Sequence, residues 1–292
     1  MATQTPTPSD QRSLQTIRIY ATVVLSSHGD FHLAKPRITT AEKLKEPFDL
    51  VLLSCKSYDL DSAMASFAAA VGPQTTILPI LNGMGHLDRL GDRFGAEKCL
   101  GGLCQISAAL DEEGRVRHLN DLHSLVFGEL DDAETARMEA IASALANAGF
   151  DSQSSPVIRQ EMWEKWIFSA ALAGITCLMR AAVGDIVAAG AADLALGLFE
   201  ENAAIAGANG FEPRTASVER SKTILTARGS PIKASMLRDI EANKPTECEH
   251  ILGDLLRCGE ATGSERSLLR IAYRHTKAYE AKRAREAGAQ EA

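Results

Sequence analysis

The sequence is short of positive charge and has no very long apolar run. Lysine and arginine number 31 against 38 acidic residues, which gives a formal net charge of −7. Phosphate recognition needs a basic surface, so this balance argues against a nucleic-acid partner. The longest apolar stretch, Trp166–Met179, is shorter than the roughly 20 residues that a membrane-spanning helix needs. The sequence therefore predicts a protein that binds neither nucleic acid nor membrane.

The cysteines lack the spacing of a metal site or a disulfide framework. None of the six forms a C-x-x-C pair, and Cys55 and Cys177 lie inside apolar segments. No histidine stands beside them at ligand spacing, so no metal site is predicted. The opening residues, MATQTPTPSDQRS, have no apolar core of a signal peptide. Together these features predict a cytoplasmic protein with reduced thiols.

The first half of the chain predicts an open sheet with alternating helices. The runs Asp49–Cys55 and Thr75–Leu81 have continuous apolar centres, LVLL and ILPIL, as in parallel strands that are buried on both faces. Helices at 61–71 and 86–94 follow these two runs, and Cys99–Ala109 forms a third strand. This β-α-β-α-β order is typical of a Rossmann-type sheet. The other predicted elements are a helix at 13–18, a hairpin of 19–27 with 30–38, short strands at 116–118 and 124–129, and a helix at 133–148.

The second half predicts only helices. The composition changes at Asp151–Pro156, and the apolar pattern beyond it is helical. The predicted helices are 159–180, 184–207, 216–226, 234–257 and 267–286. The fold class is therefore α/β, with an incomplete Rossmann-type sheet domain (1–152) followed by an all-α C-terminal domain (153–292).

Candidate site residues follow the strand ends and one long helix. In an open α/β sheet, ligands bind beyond the carboxyl ends of the strands, where Lys56 and Asn82 lie. Lys165 stands at the start of an apolar helix, where burial would lower its pKa toward that of a usable proton donor. Each residue also has a simpler interpretation, because a strand-end lysine can be solvated, an Asn-Gly pair can be only a turn, and a helical lysine can extend to water.

Five segments in order resemble the ketopantoate reductase (2-dehydropantoate 2-reductase) family. They are DLVLLSCKSYD, LPILNGMG, GGLCQISAALDEEGRVRH, EKWIFSAALAGITCL and SMLRDIEANKPTE. The resemblance extends from about residue 12 almost to the end of the chain. Each motif is weak alone, but the ordered set is fairly specific.

The resemblance implies NADPH-dependent reduction of a 2-keto acid, ketopantoate to pantoate or a related reaction in pantothenate biosynthesis. It makes Lys165 the lysine that protonates the forming alkoxide. The acid at the cofactor–substrate junction is Glu247, which the residues alone would explain as an ordinary acid in the first turn of a helix. Lys56, Asn82 and Ala108 are implied cofactor contacts. The implied substrate contacts are Lys165, Asn82, Ser169 and Ser235. Domain 1–152 would bind NADP, and 153–292 would hold substrate and mediate dimerisation.

The sequence departs from the family pattern in two ways. Ser169 and Ala173 stand where the family has two substrate-binding asparagines, which places ketopantoate itself in question. No G-x-G-x-x-G occurs, although the family carries that turn in its first strand–turn–helix to hold the pyrophosphate. The first β-α-β unit is therefore expected to be missing, which would leave the strand at 49–55 with an exposed edge.

Three functions are compatible with these observations. The first is NADPH-dependent reduction of a 2-keto acid by a homo-oligomeric or monomeric enzyme. The second is a non-catalytic relative that serves as a binding or dimerisation protein, which the missing glycine turn favours. The third is a hydroxy-acid dehydrogenase of the same architecture with another substrate, which Ser169 and Ala173 favour.

Overall fold

A sheet-rich first half and a helical second half make up the structure, a computed structural model that describes residues 23–264 and 266–290. The predicted class, a Rossmann-type sheet domain followed by an all-helical region, is confirmed. The helix predicted at 13–18 and the start of the first hairpin strand lie outside the described residues. The rest of that hairpin is present only in part, because Val23 and Val24 pair antiparallel with His32 and Phe31, whereas residues 33–38 form no strand.

The strands of the described residues form two sheets that approach each other at one point. They are β1 Val23–Leu25, β2 Phe31–His32, β3 Leu50–Leu53, β4 Thr76–Pro79, β5 Leu100–Leu110, β6 Val116–Glu129 and β7 Asp151–Ser154. β3 and β4 pair in parallel, with Leu50 opposite Thr76. The larger sheet has the order β2-β1-β6-β5, and β7 pairs in parallel with β6. A parallel bridge from Ile77 to Cys99 links β4 to the start of β5.

The helices lie between the strands in the first half and make up the whole of the second. They are α1 Leu60–Phe67, α2 His86–Phe94, α3 Ala136–Leu145, α4 Ile158–Met179, α5 Val183–Ala188, α6 Ala192–Ala208, α7 Thr215–Leu225, α8 Ser235–Glu241, α9 Asp254–Thr262 and α10 Ser267–Gln290. A π-helical turn, Glu249–Gly253, leads directly into α9. No helix of the described residues is long and apolar enough to cross a membrane.

Two predicted elements in the sheet half differ from the structure. The strands predicted at 116–118 and 124–129 are one long strand, β6, which pairs antiparallel with β5. The polar residues between them fall at an irregularity, where the Asn120 side chain accepts the backbone hydrogen bond of Ser107 at 3.0 Å. The segment at which the composition changes forms β7, so the boundary predicted after residue 152 falls within a strand. The division into domains 1–152 and 153–292 stays a prediction.

Two predicted helices are also interrupted. The helix predicted at 184–207 is split into α5 and α6 at Gly190, which adopts a φ of +79°. The flanking alanines favour helix and conceal this break in the sequence. The helix predicted at 234–257 consists of α8, the π-turn and the beginning of α9, with Asn243 at a φ of +53° in the break after α8.

The buried centre of the molecule positions the site. All four residues of β4 are buried, whereas Leu52 of β3 is 53% exposed. Among the described residues β3 pairs with β4 alone, and the exposed edge expected for this strand stays a prediction. Helix α4 lies at the centre of the helical half and packs against α6, α8 and α10. The carboxyl end of β4 and the first half of α4 therefore meet at the junction of the two halves.

Candidate active site

A narrow pocket lies between the end of β4, strand β5 and helix α4. It brings together three residues that the sequence singled out, Asn82, Lys165 and Ser169. The last two are four residues apart on α4, so they lie on the same helix face. The remaining lining is mostly apolar and consists of Leu81, Gly83, Gly102, Leu103, Met162 and Trp166.

The environment of Lys165 favours its neutral form more than water does. Burial lowers the pKa of its ammonium group, and this outweighs the opposing effects of the Cys104 thiol and the Glu247 carboxylate. Within residues 23–264 and 266–290, no carboxylate lies within 4.0 Å of the Lys165 nitrogen. A lysine with a lowered pKa and no ion-pair partner gives up its proton more readily than a paired surface lysine.

A second group of predicted residues forms an ion cluster at the end of β3. The Lys56 ammonium contacts Asp239 Oδ2 at 2.8 Å and Glu247 Oε2 at 3.2 Å. The other oxygen of Glu247 accepts a hydrogen bond from the Ser57 backbone at 3.0 Å. Burial alone would lower the pKa of Lys56, but the Glu247 and Asp239 carboxylates outweigh it and raise that pKa. The cluster carries one cation and two carboxylates, and it joins the end of β3 to the helical half.

The Asn82–Gly85 turn is packed tightly against the segment that follows Glu247. Gly83 has a φ of +76°, and a Cβ there would lie 2.9 Å from the backbone oxygen of His250. A Cβ on Gly85 would lie 2.6 Å from Asp254 Oδ2. Glycine is thus needed both for conformation and for space. Because a carboxylate and an imidazole cover this turn, it does not form a cradle for a phosphate group.

The other predicted site residues lie away from the pocket. Ser235 is the exposed first residue of α8, and Ala108 lies on the exposed face of β5 together with Ile106 and Leu110. Ala173 is 2% exposed and packs in the core of the helical half. It therefore offers no polar group where the family has an asparagine. The roles of Ser235 and Ala108 stay predictions.

Sequence reasoning did not assign several residues that the structure places at the site. Asp239 belongs to the motif S-M-x-x-D and pairs with Lys56. Met162 and Trp166 precede and follow Lys165 on α4, and helical spacing could have indicated that they share its surroundings. His86 and His250 are distant in sequence, and no local pattern indicates that their rings meet.

The open sheet and the lysine pocket at the junction of two halves define the class, a two-part protein of Rossmann type with a candidate ligand site beyond the strand ends. The sequence model described as ketopantoate reductase PanE/ApbA matches residues 2–132, and the model of the C-terminal part of that family matches residues 157–280. The chain therefore belongs to the ketopantoate reductase family of oxidoreductases, and the resemblance seen in the sequence is confirmed.

Individual relatives support the same family. An uncharacterized oxidoreductase of Bacillus subtilis, YkpB, is 30% identical over 94% of this chain and 90% of its own length. The crystal structure of 2-dehydropantoate 2-reductase from Geobacter metallireducens matches with a TM-score of 0.79 at 27% identity, over 87% of this chain and 85% of that one. The ternary structure of D-mandelate dehydrogenase with NADH and anilino(oxo)acetate has a TM-score of 0.79 at 19% identity, over 90% of this chain and 85% of that one, and shows the shared fold.

Proposed function

We propose that this protein reduces a 2-keto acid to the 2-hydroxy acid with NADPH. The observation that carries the proposal is the pocket in which Lys165, with its lowered pKa, lies with Asn82 and Ser169 at the carboxyl end of β4. This is where ligands bind in open α/β sheets. Ketopantoate reductase relatives and the D-mandelate dehydrogenase complex with NADH support a nicotinamide cofactor.

Lys165 is the general acid in this proposal. The chemistry that a nicotinamide cofactor would supply, when bound, is the hydride for the keto carbon. As negative charge forms on the keto oxygen, the Lys165 ammonium donates a proton to it. The lowered pKa of Lys165 makes this donation easier than for a lysine in water. Asn82 and Ser169 line the same pocket and supply an amide and a hydroxyl that can hold the substrate oxygens.

The residues present fit the ribose and nicotinamide end of the cofactor better than its phosphates. The Glu247 and Asp239 carboxylates at the end of β3 can accept hydrogen bonds from ribose hydroxyls. Lys56 is held between them, so the cluster is not a cation-rich site for a phosphate. The Asp254 carboxylate covers Gly85. We assign Lys56, Asn82 and Glu247 to the riboside end, and no residue to the pyrophosphate.

The test is turnover with and without the lysine. Oxidation of NADPH and of NADH is followed with ketopantoate and with benzoylformate as substrates for the wild type, Lys165→Ala and Lys165→Met, and the surface variant Lys222→Met serves as control. Loss of a general acid lowers kcat by roughly 10²–10⁴-fold. Thermal melting should be unchanged or slightly raised, because a buried lysine is removed. Activity in none of these combinations would refute the proposal and favour a non-catalytic relative. Lys165 variants with turnover within a few-fold of wild type would instead refute the role of Lys165 as the general acid.

A related substrate with an apolar side chain is a second candidate, which rests on the pocket lining. Leu81, Leu103, Met162 and Trp166 surround the lysine, and Ala173 is buried away from the pocket. An apolar lining discriminates weakly between substrates of slightly different shape, and it forms no hydrogen bonds with substrate hydroxyls. We expect kcat/KM for benzoylformate to exceed that for ketopantoate, and the opposite order would favour ketopantoate.

A further inference from the structure

The π-turn Glu249–Gly253 contacts both elements that carry the pocket residues. Its Ile251 carbonyl accepts a hydrogen bond from the Trp166 indole at 2.9 Å, and Trp166 follows Lys165 on α4. The adjacent residue of the turn, His250, covers Gly83, which follows Asn82. One short segment therefore fixes the neighbours of Asn82 and Lys165 in the pocket. Single π-turns within helices are frequent at functional sites.

His250 takes part in a series of hydrogen bonds that all have the same donor-to-acceptor direction. Its Nδ1 lies 2.9 Å from Asp254 Oδ2, and its Nε2 lies 3.2 Å from His86 Nδ1. The carboxylate can only accept, so His250 Nδ1 carries a hydrogen and donates it. In neutral His250 the Nε2 atom is then an acceptor, and His86 Nδ1 is the donor. The chain runs from His86 through His250 to Asp254.

His86 keeps one charge state, and therefore one set of hydrogen-bonding partners, in this series. It is the first residue of α2 and is completely buried. Burial, followed by the effects of His250 and Lys165, lowers the pKa of His86 to about 3. Its Nε2 has no hydrogen-bond partner within the described part of the chain. The neutral ring thus holds the start of α2, and with it the turn that ends in Gly85, against the π-turn.

We propose, on the basis of the function proposed above, that His250 is a positioning residue that sets the place of Asn82 relative to Lys165. Gly83 adopts its φ of +76° under the His250 backbone and ring, and glycine has little conformational preference of its own. Without the imidazole nitrogens, His86 would lose the hydrogen bond that joins the start of α2, and with it the Asn82 turn, to the π-turn, while α4 would keep its own core contacts. A shift of about 1 Å in a site residue can cost 10²-fold in rate.

The first experiment measures the turn directly and needs neither cofactor nor substrate. Hydrogen–deuterium exchange of the amides at 82–86 is compared in the wild type, His250→Phe, which keeps a ring without nitrogens, and His250→Gln, which keeps a polar atom near Nε2. His275→Phe, an exposed position on α10, is the control. Exchange at 82–86 should be fastest in His250→Phe and intermediate in His250→Gln, with the amides of α4 unchanged. Unchanged exchange at 82–86 in His250→Phe would overturn the proposal.

The second experiment separates positioning from stability through kcat and KM. With the variants fully folded at the assay temperature by circular dichroism, His250→Phe should lower kcat roughly 10- to 100-fold, with a smaller change in KM. His86→Asn, which keeps a donor near the Nδ1 position, should retain most of the activity. A folded His250→Phe variant with wild-type kcat would refute the positioning role. An inactive wild type would instead refute the function, and the exchange experiment would still decide whether His250 holds the turn.

Discussion

Acidification should destabilise this protein through His86 in particular. Its pKa lies near 3 in the folded chain, against 6.5 for an unperturbed histidine. The unfolded chain therefore binds this proton first, so the free energy of unfolding is highest above about pH 6.5 and decreases as the pH falls toward 3. This is the direction expected for a base whose folded pKa is depressed.

The magnitude follows from the size of the shift. Each pH unit inside that window changes the contribution by about 1.4 kcal/mol. At about pH 4.5 the loss is close to 3 kcal/mol, and at about pH 5.5 it is roughly 1.4 kcal/mol. These are large fractions of the 5–15 kcal/mol that typically stabilise a folded protein.

The assay compares wild type with His86→Asn by urea unfolding at about pH 7, 5.5 and 4.5. Asparagine keeps a donor near Nδ1 but does not titrate, so its packing cost is the same at each pH. Carboxylates with lowered pKa values, among them Glu129 and Glu164, also lose stabilisation on acidification, but they do so in both proteins. The difference between the two proteins should therefore move by close to 3 kcal/mol in favour of the variant. Parallel curves for the two proteins would refute the reasoning.

Three further predictions concern single positions. Gly210→Ala should lower the free energy of unfolding by about 1–2 kcal/mol, because of its positive φ alone. Gly83→Ala should lower it by roughly 1–3 kcal/mol more, because its Cβ meets the facing π-turn. Equal melting temperatures of the two variants would contradict this prediction. Arg214→Ala should lower the free energy of unfolding, measured in urea, by about 1.5–3 kcal/mol, because it removes two side-chain hydrogen bonds from the buried Glu164 carboxylate. Glu164→Gln should lower it less, because the arginine that it leaves unpaired is half exposed. Burial raises the pKa of Cys177 to about 12, so this thiol should resist disulfide reagents until the chain unfolds, and prompt labelling would contradict the packing.

Local apolar patterns were sufficient to predict most of the secondary structure. The runs that became β3 and β4 are apolar in every position near their centres, and α2 has the predicted bounds His86–Phe94. The family and the pocket residues Asn82, Lys165 and Ser169 also came from ordered motifs in the sequence. These features depend on residues that are near each other in the chain or on motifs preserved as a set.

The features that only the tertiary structure determined join groups that are far apart in the chain. The continuity of β6 depends on Asn120 replacing a backbone partner of β5, and β7 exists because β6 offers an edge to four polar residues. The pairing of Glu247 with Lys56, and of His86 with His250, joins positions more than 160 residues apart. Periodicity reports only which face of an element is buried, so it carries no information about which buried polar group lies opposite another. The packing of the two halves determines which buried polar groups meet.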